Sequence, residues 1–235
     1  MINFLFFFIM LTGNEILKKV EDTYNAPKDK VSEIKMVLVE QDGSQKQREM
    51  KIWMKGKHKK LFTFKSPADV KGVGFLVLSD DELYLYLPAF KKIRRIASHV
   101  KNESFMGTDF SYNDLAKSEF TKNYNAKILE ENENQYVLEL MPKPESDVDY
   151  SKLIMFVNKN VFLPDSIKFF DKGGHLFKIM RNRKFSQIKN YWVIGEIEME
   201  NAKDKHKTIM ETIKEDIDTG LSDEIFTQRN LKRAE

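Results

Sequence analysis

Residues able to do chemistry are sparse in this sequence. Its four histidines, His58, His99, His175 and His206, stand isolated. No HExxH or HxH spacing and no Cys/His pair is present, and there is no cysteine at all, so zinc, thiol and disulfide chemistry are not expected. Neither a GxSxG elbow nor a GxxxxGK[ST] phosphate loop occurs. Gly72-Val73-Gly74 lacks a third glycine and leads into an apolar run of strand type rather than a helix. Asp216-Ile217-Asp218-Thr219-Gly220 starts like a calcium loop but fails at its later ligand positions, which leaves a turn after a strand. The carboxylate pairs Asp80-Asp81 and Asp147/Asp149 fall at expected hairpin turns, where solvation accounts for them. The expectation is a protein that is not an enzyme and needs no cofactor or metal.

The remaining polar candidates are two basic clusters, Lys55–Lys60 (KGKHKK) and Lys91, Lys92, Arg94 and Arg95, both at hairpin ends beside aromatic strands. They suit either a solvated rim or contact with anionic headgroups or an acidic partner. A net charge of +3, from 39 Lys+Arg against 36 Asp+Glu, is too small to argue for nucleic acid. Eleven methionines, among them Met36, Met50, Met54 and Met155, fit an ordinary core or a pliable lining for alkyl chains.

The elements that would carry these residues are mainly β. Residues 15–25 read as an amphipathic helix, with Ile16, Leu17, Val20 and Tyr24 on one face, Asn14 as N-cap and Pro27 as terminator. Strands with period-two alternation follow from Ile34 to Leu87, with turns at Asp42-Gly43, Gly56 and Ser79-Asp80-Asp81. Residues 98–117 read as an aromatic-rich loop ending in a short helix near Asn113, and strands resume through residue 216 before a short helix near 223–226. Eleven or twelve strands with hairpin-length connections make an antiparallel sheet, and an open sheet that wide curls. Several strands are apolar on both faces: Phe62 and Phe64 against Leu61, and Leu83, Leu85 and Leu87 against Tyr84 and Tyr86. The covers available for the second face are the helix and the central loop. On pattern alone two outcomes stay open: a fully packed sandwich, and a curled sheet whose concave face keeps room for an apolar ligand.

Residues 1–13 carry no charged side chain, and Phe4–Leu11 is apolar throughout. That is too short to span a bilayer, but it fits the apolar core of a secretory signal peptide, with Gly13 at a cleavage point. A buried first strand or a mis-assigned start are the alternatives. The organisation expected is residues 1–13 as signal peptide and 14–235 as one domain.

Some longer segments are more specific. Trp53-Met54-Lys55, Leu61-Phe62-Thr63-Phe64 and Leu83-Tyr84-Leu85-Tyr86-Leu87-Pro88 resemble the first half of the LolA/LolB-like periplasmic lipoprotein carriers. Ser66–Gly72 (SPADVKG) and Ser104–Tyr112 (SFMGTDFSY) resemble the branch described as outer-membrane lipoprotein-sorting proteins. The resemblance implies an unclosed antiparallel β-barrel of about eleven strands with a helical lid. It also implies a soluble carrier in a Gram-negative-type periplasm, binding acyl chains of lipoproteins or other lipids. An inner-membrane transporter would be the donor and an outer-membrane protein the acceptor. The expected cavity lining is Met36, Leu38, Met50, Ile52, Phe62, Phe64, Phe75, Val77, Leu83 and Leu85. The expected lid is Ile16, Leu17, Val20, Phe105, Met106, Phe110 and Tyr112. Where the family's latching Arg-Pro pair would follow Trp-x-Lys, this chain has Gly56-Lys57, so the resemblance does not carry that latch over and leaves room for a different lipid. A related fold serves lipid sensing, which is the alternative function: a periplasmic sensing or protein-interaction module.

Overall fold

The computed structural model describes residues 10–233. Its chain is mainly β with four short helices. In chain order these are α1 (Gly13–Tyr24), β1 (Asp29–Val39), β2 (Gln45–Lys55), β3 (Lys59–Ser66), β4 (Gly74–Ser79), β5 (Glu82–Leu87) and β6 (Lys92–Arg95). Then come α2 (Tyr112–Ala116), α3 (Phe120–Asn123), β7 (Tyr124–Glu131), β8 (Gln135–Pro142), β9 (Lys152–Asn158), β10 (Leu163–Phe170), β11 (Leu176–Ile188), β12 (Tyr191–Asn201), β13 (Lys207–Ile217) and α4 (Gln228–Leu231).

All thirteen strands form one antiparallel sheet in the order β6-β5-β4-β3-β2-β1-β13-β12-β11-β10-β9-β8-β7. Neighbours are sequential hairpins except at the centre, where β1 pairs with β13 (Met36 opposite Met210) and joins the two halves. β6 and β7 do not pair, so the barrel is unclosed. The strand beyond those expected from alternation is β6, a four-residue Lys-Ile-Arg-Arg edge. Its charges hide it from hydrophobic periodicity and discourage further strand addition.

α1 starts two residues earlier than expected. Thr12 is the N-cap, and a reciprocal capping box with Glu15 outcompetes Asn14 for that role. Asn14 instead accepts a hydrogen bond from the Ala126 amide at 2.7 Å and ties the helix to β7. Gly13 is required there, because a Cβ would lie 2.4 Å from the Ala126 carbonyl oxygen. The expected signal segment lies mostly outside the described residues.

The two faces of the sheet are covered separately. On the concave side, Ile16, Leu17 and Val20 of α1 and Phe105, Phe110 and Tyr112 of the central loop join one large core with strand residues of both halves. On the convex side, Leu61 and Leu76 pack with Phe226 and Leu231, flanked by Trp53, Tyr84 and Tyr86. This corrects the expectation that α1 and the loop supply the second cover. Both lie inside the trough, and the outer face of β2–β5 is sealed by the C-terminal segment, whose Leu221, Ile225, Phe226 and Leu231 are its apolar residues.

That seal has its own fastenings. The Asp29 carboxylate accepts from the Thr219 hydroxyl and amide and from the Gly220 and Leu221 amides at 2.7–3.2 Å. Burial alone would raise the Asp29 carboxyl, but these bonds outweigh it and hold it below the ordinary carboxylate range. The segment that begins like a calcium loop is therefore a turn folded onto a buried carboxylate. Lys55 and Lys59 then pair with Asp223 at 2.8 and 3.0 Å. Gly74 leaves space for Leu231, whose Cδ1 would lie 2.6 Å from an added Cβ. Replacing the fully buried Leu231 by Asp is expected to cost about 2–4 kcal/mol in urea unfolding and to raise binding of a hydrophobic dye, because Leu61 and Leu76 lose their cover. Unchanged stability would show that the segment is ornamental.

Candidate functional site

The inward residues of the first half follow from strand alternation. Lys30, Ser32, Ile34, Met36 and Leu38 of β1 share a face, as do Met50, Ile52 and Met54 of β2 and Lys60, Phe62 and Phe64 of β3. The segment Ser104–Tyr112 folds back into this face. The Phe105 amide donates to the Phe110 carbonyl at 2.8 Å, the Thr108 hydroxyl caps the Phe105 carbonyl at 2.7 Å, and Met106 and Gly107 take positive φ at the tip. Asp109 pins it to β13, with His206 Nδ1 at 2.7 Å and the Thr208 hydroxyl at 2.8 Å from its carboxylate. Arg48 donates to the Met106 carbonyl at 2.7 Å and stacks on the Phe64 ring.

The result is an aromatic plug. Phe105 lies 5.8 Å from Phe64, 5.3 Å from Phe75 and 5.5 Å from Tyr112, and Phe62 stands 5.6 Å from Phe75. The expected lining and the expected lid residues are therefore brought together, but mostly against each other. Met36, Leu38, Met50, Phe64, Phe75, Val77, Leu83 and Leu85 are all buried in the core and line neither of the two hollows found beside it. Ile52 and Phe62 line one hollow; of the expected lid residues, Phe110 lines both and Val20 lines one. Ile16, Leu17, Phe105, Met106 and Tyr112 belong to the packed part.

The hollows, of about 150 and 160 Å³, lie beside the plug and adjoin, the first on the β9–β12 side and the second reaching across β13 to β1–β3. Both are bounded by Tyr24, Phe110, Asp114, Lys117, Met180, Ile194 and Ile197. The first is closed by Leu153, Ile167, Phe169 and Met199, under α1 and α3. The second runs over Ile34, Ile52, Met54 and Met210 toward Lys30 and Lys60. A dry apolar space of this size holds a benzene-sized molecule. The residues on β10–β12 were missed by sequence reasoning because their strands look like any half-buried strand. Alternation in 164–170 and 190–201 was the available signal.

Polar groups are set into these walls with care. Asp114 accepts from the Tyr150 hydroxyl at 2.8 Å and from Lys178 at 3.0 Å, both ionic side chains being 8% exposed. Burial, with the Asp114 charge beside it, pushes the Tyr150 hydroxyl well above the ordinary phenol range. Burial likewise raises Tyr124 and Asp149. Asn182 donates to the Pro164 carbonyl at 2.8 Å, but its Oδ1, in the wall of the first hollow, has no partner, nor does Asn113 Oδ1. Among the described residues no group of three or more His, Asp or Glu is placed to hold a metal ion.

The Lys55–Lys60 cluster is largely engaged. Lys57, in the hairpin between β2 and β3, bonds Glu21 of α1 and Glu119 at the start of α3, both at 3.1 Å. Glu21 also accepts from the Thr121 amide and hydroxyl at 3.0 and 2.7 Å. Helix, linker and hairpin are thus tied at one point. The hydrogen bonds to Glu119 and Glu21 hold the Lys57 ammonium above its ordinary range.

Lys60 is the opposite case. Fully buried, it donates to the Leu115 and Ala116 carbonyls at 3.0 and 2.9 Å. Desolvation first, then the charge of Lys30, pushes its pKa down to about 7. Because the folded pKa lies below the unfolded one, the unfolded chain binds more protons between pH 7 and 10, and stability rises with pH across that window. Lys60→Met should remove this slope. Against the variant, the wild type is expected to gain on the order of 1–4 kcal/mol from pH 7 to 10 in denaturant titrations; equal slopes would show that Lys60 stays charged in the fold.

Solved structures give the fold its relatives. An outer membrane lipoprotein-sorting protein domain from Vibrio parahaemolyticus superposes with a TM-score of 0.87 at 28% identity, over 94% of this chain and 98% of that one. A DUF1329 family protein from Desulfovibrio piger ATCC 29098 gives 0.87 at 26%, over 93% and 97%. A LolA superfamily protein from Nitrosomonas europaea gives 0.78 at 22%, over 94% and 100%, a likeness of fold alone. No curated protein matches the chain. The chain has the LolA-like fold, and residues 56–233 match the model of the family described as "-like: Uncharacterized protein", to which it belongs.

Proposed function

We propose that the protein is a non-enzymatic carrier that binds the alkyl part of a lipid or lipoprotein in the trough beside the aromatic plug and moves it through the periplasm toward the outer membrane. The observation that carries this reading is the pair of adjoining, mainly apolar hollows between the curled sheet and α1. The lipoprotein-sorting domain of the same fold adds support. No described helix is long and apolar enough to cross a membrane.

The driving force is burial of methylenes, each contributing about 0.8 kcal/mol. In the closed form the hollows take only a short stretch of chain, so loading a full acyl chain requires α1 to lift. Its contacts are of two kinds. Ile16, Leu17 and Val20 are apolar, and a lipid tail can replace them with little change in free energy. The Lys57–Glu21 bond is polar and is broken outright. A lid so built exchanges its apolar contacts for those of the lipid and has to break its polar ties, among them Lys57 to Glu21, Thr121 to Glu21 and the Ala126 amide to Asn14.

Two outcomes follow. Ile197 borders both hollows, so Ile197→Trp should fill the space and lower the affinity for a fluorescent sixteen-carbon fatty acid about tenfold, with the thermal midpoint little changed. Unaltered affinity would place the lipid elsewhere. Lys57→Met should raise amide hydrogen exchange across residues 14–24 about tenfold while leaving the β9–β12 strands protected; uniform exchange in both regions would show that Lys57 is no fastening.

A further inference from the structure

Charge is divided unevenly between the two hollows. Four carboxylates reach the wall of the first, Glu21, Asp114, Glu119 and Asp149. Each already accepts from protein donors, Glu21 and Glu119 from Lys57, Asp114 from Lys178 and Asp149 from the Asn113 amide. The second hollow is bordered by three lysines, Lys30, Lys60 and Lys117, and by two carboxylates, Asp114 and Glu215. Lys30 and Lys60 lie in one row across the sheet, Lys30 opposite Met54 on β2 and Met54 opposite Lys60 on β3. Their Cα atoms are therefore two strand spacings, about 10 Å, apart on the same face. Lys117, directly after α2, borders both hollows, with its ammonium turned to the Asp147 carbonyl.

None of these three ammonium groups forms an ion pair with a described carboxylate. Lys60 gives two protons to backbone carbonyls, Lys117 gives one to the Asp147 carbonyl, and Lys30 rests over the Tyr24 ring. Of the two acids in this wall, Asp114 holds Lys178, and Glu215 accepts from the Ser32 hydroxyl without forming an ion pair to any of the three lysines. Elsewhere in the trough the chain shows how it pairs a buried lysine, with Lys178 set against Asp114. Keeping the buried Lys60 charged, beside the half-buried Lys30, without a counter-charge is costly unless something else supplies it.

We propose that the second hollow is an anion-head site: the cargo is a single-chain or acyl amphiphile whose carboxylate or phosphate lies between Lys30, Lys60 and Lys117, with its alkyl chain running into the first hollow past Met180 and Ile197. This rests on the carrier reading and narrows its cargo. The apolar floor of the first hollow, Leu153, Ile167, Phe169 and Met199, receives the tail. A chain entering the other way round would bring its anion against four carboxylates and away from Lys30 and Lys60.

The test compares laurate, dodecyl phosphate and dodecanol, which share one alkyl chain, by competition against a fluorescent alkyl probe on the full chain at pH 7. The anions are expected to bind about tenfold or more tightly than the alcohol. Lys30→Gln and Lys60→Met are each expected to lower anion affinity several-fold and leave dodecanol unaffected. Because Lys60 is buried and Lys30 only half-buried, Lys30→Gln keeps the test decisive if the other variant misfolds. The tighter of the two anions identifies the head as carboxylate or phosphate. Equal binding of all three ligands, or substitutions that shift all three alike, overturns the anion-head site while leaving the carrier standing. Failure of every ligand to bind overturns both.

Discussion

The constraint on which this structure depends is the width of one curved sheet. Thirteen strands at about 4.8 Å spacing present an arc of nearly 60 Å, and its concave face is apolar on both sides of the β1–β13 seam. A helix covers about 10 Å of such a surface. The chain supplies one longer helix and one folded loop for the task, and they seat side by side toward different halves. The plug takes the β1–β5 half, where Phe105 and Tyr112 interlock with Phe64 and Phe75. α1 lies against β7, β10 and β12. The hollows occur between those two covers, where neither reaches.

The outside of the sheet is built for rigidity instead. Along β11 and β12, Arg181 bonds Glu198 and Glu200 at 2.8 and 2.6 Å, Arg183 bonds Glu196 and Glu198 at 3.1 and 3.4 Å, and Lys184 reaches Glu196 and Glu211. Isolated surface pairs contribute little, but a cross-strand network around the buried Glu198 resists shear better than any one of them. Gly195 permits the close approach of Lys184, whose φ is +57° and whose carbonyl oxygen would stand 2.9 Å from an added Cβ.

The fold was legible because alternation survives wherever one face is buried, as in Lys152–Asn158 with every second residue buried. The exceptions have physical reasons. β6 is charged and short, so it carries no period. Strands β3–β5 are apolar on both faces, and sequence alone cannot say which cover takes which face; the C-terminal segment that seals Leu61 and Leu76 lies some 150 residues away in the chain. The trough was harder to place. The residues expected as lining from the apolar strand faces, such as Phe64, Phe75, Leu83 and Leu85, are large and become packed into the core beside the plug. The hollows border less conspicuous positions, Met180, Ile194 and Ile197, where the fold brings no partner. Empty space is set by what fails to arrive, and composition does not record that.

The fastening of α1 rests on the chemistry of one lysine, because an ammonium is a compact charge able to serve several acceptors in different directions. Lys57 uses that freedom to hold Glu21 and Glu119 together. Glu21 in turn holds Thr121, so α1 and α3 are joined through one carboxylate. α2, on the other side of that junction, presents the Leu115 and Ala116 carbonyls that occupy Lys60. The ties that hold α1 and those that hold the buried lysine therefore converge on the short stretch between Ala116 and Thr121, where one displaced backbone would disturb both.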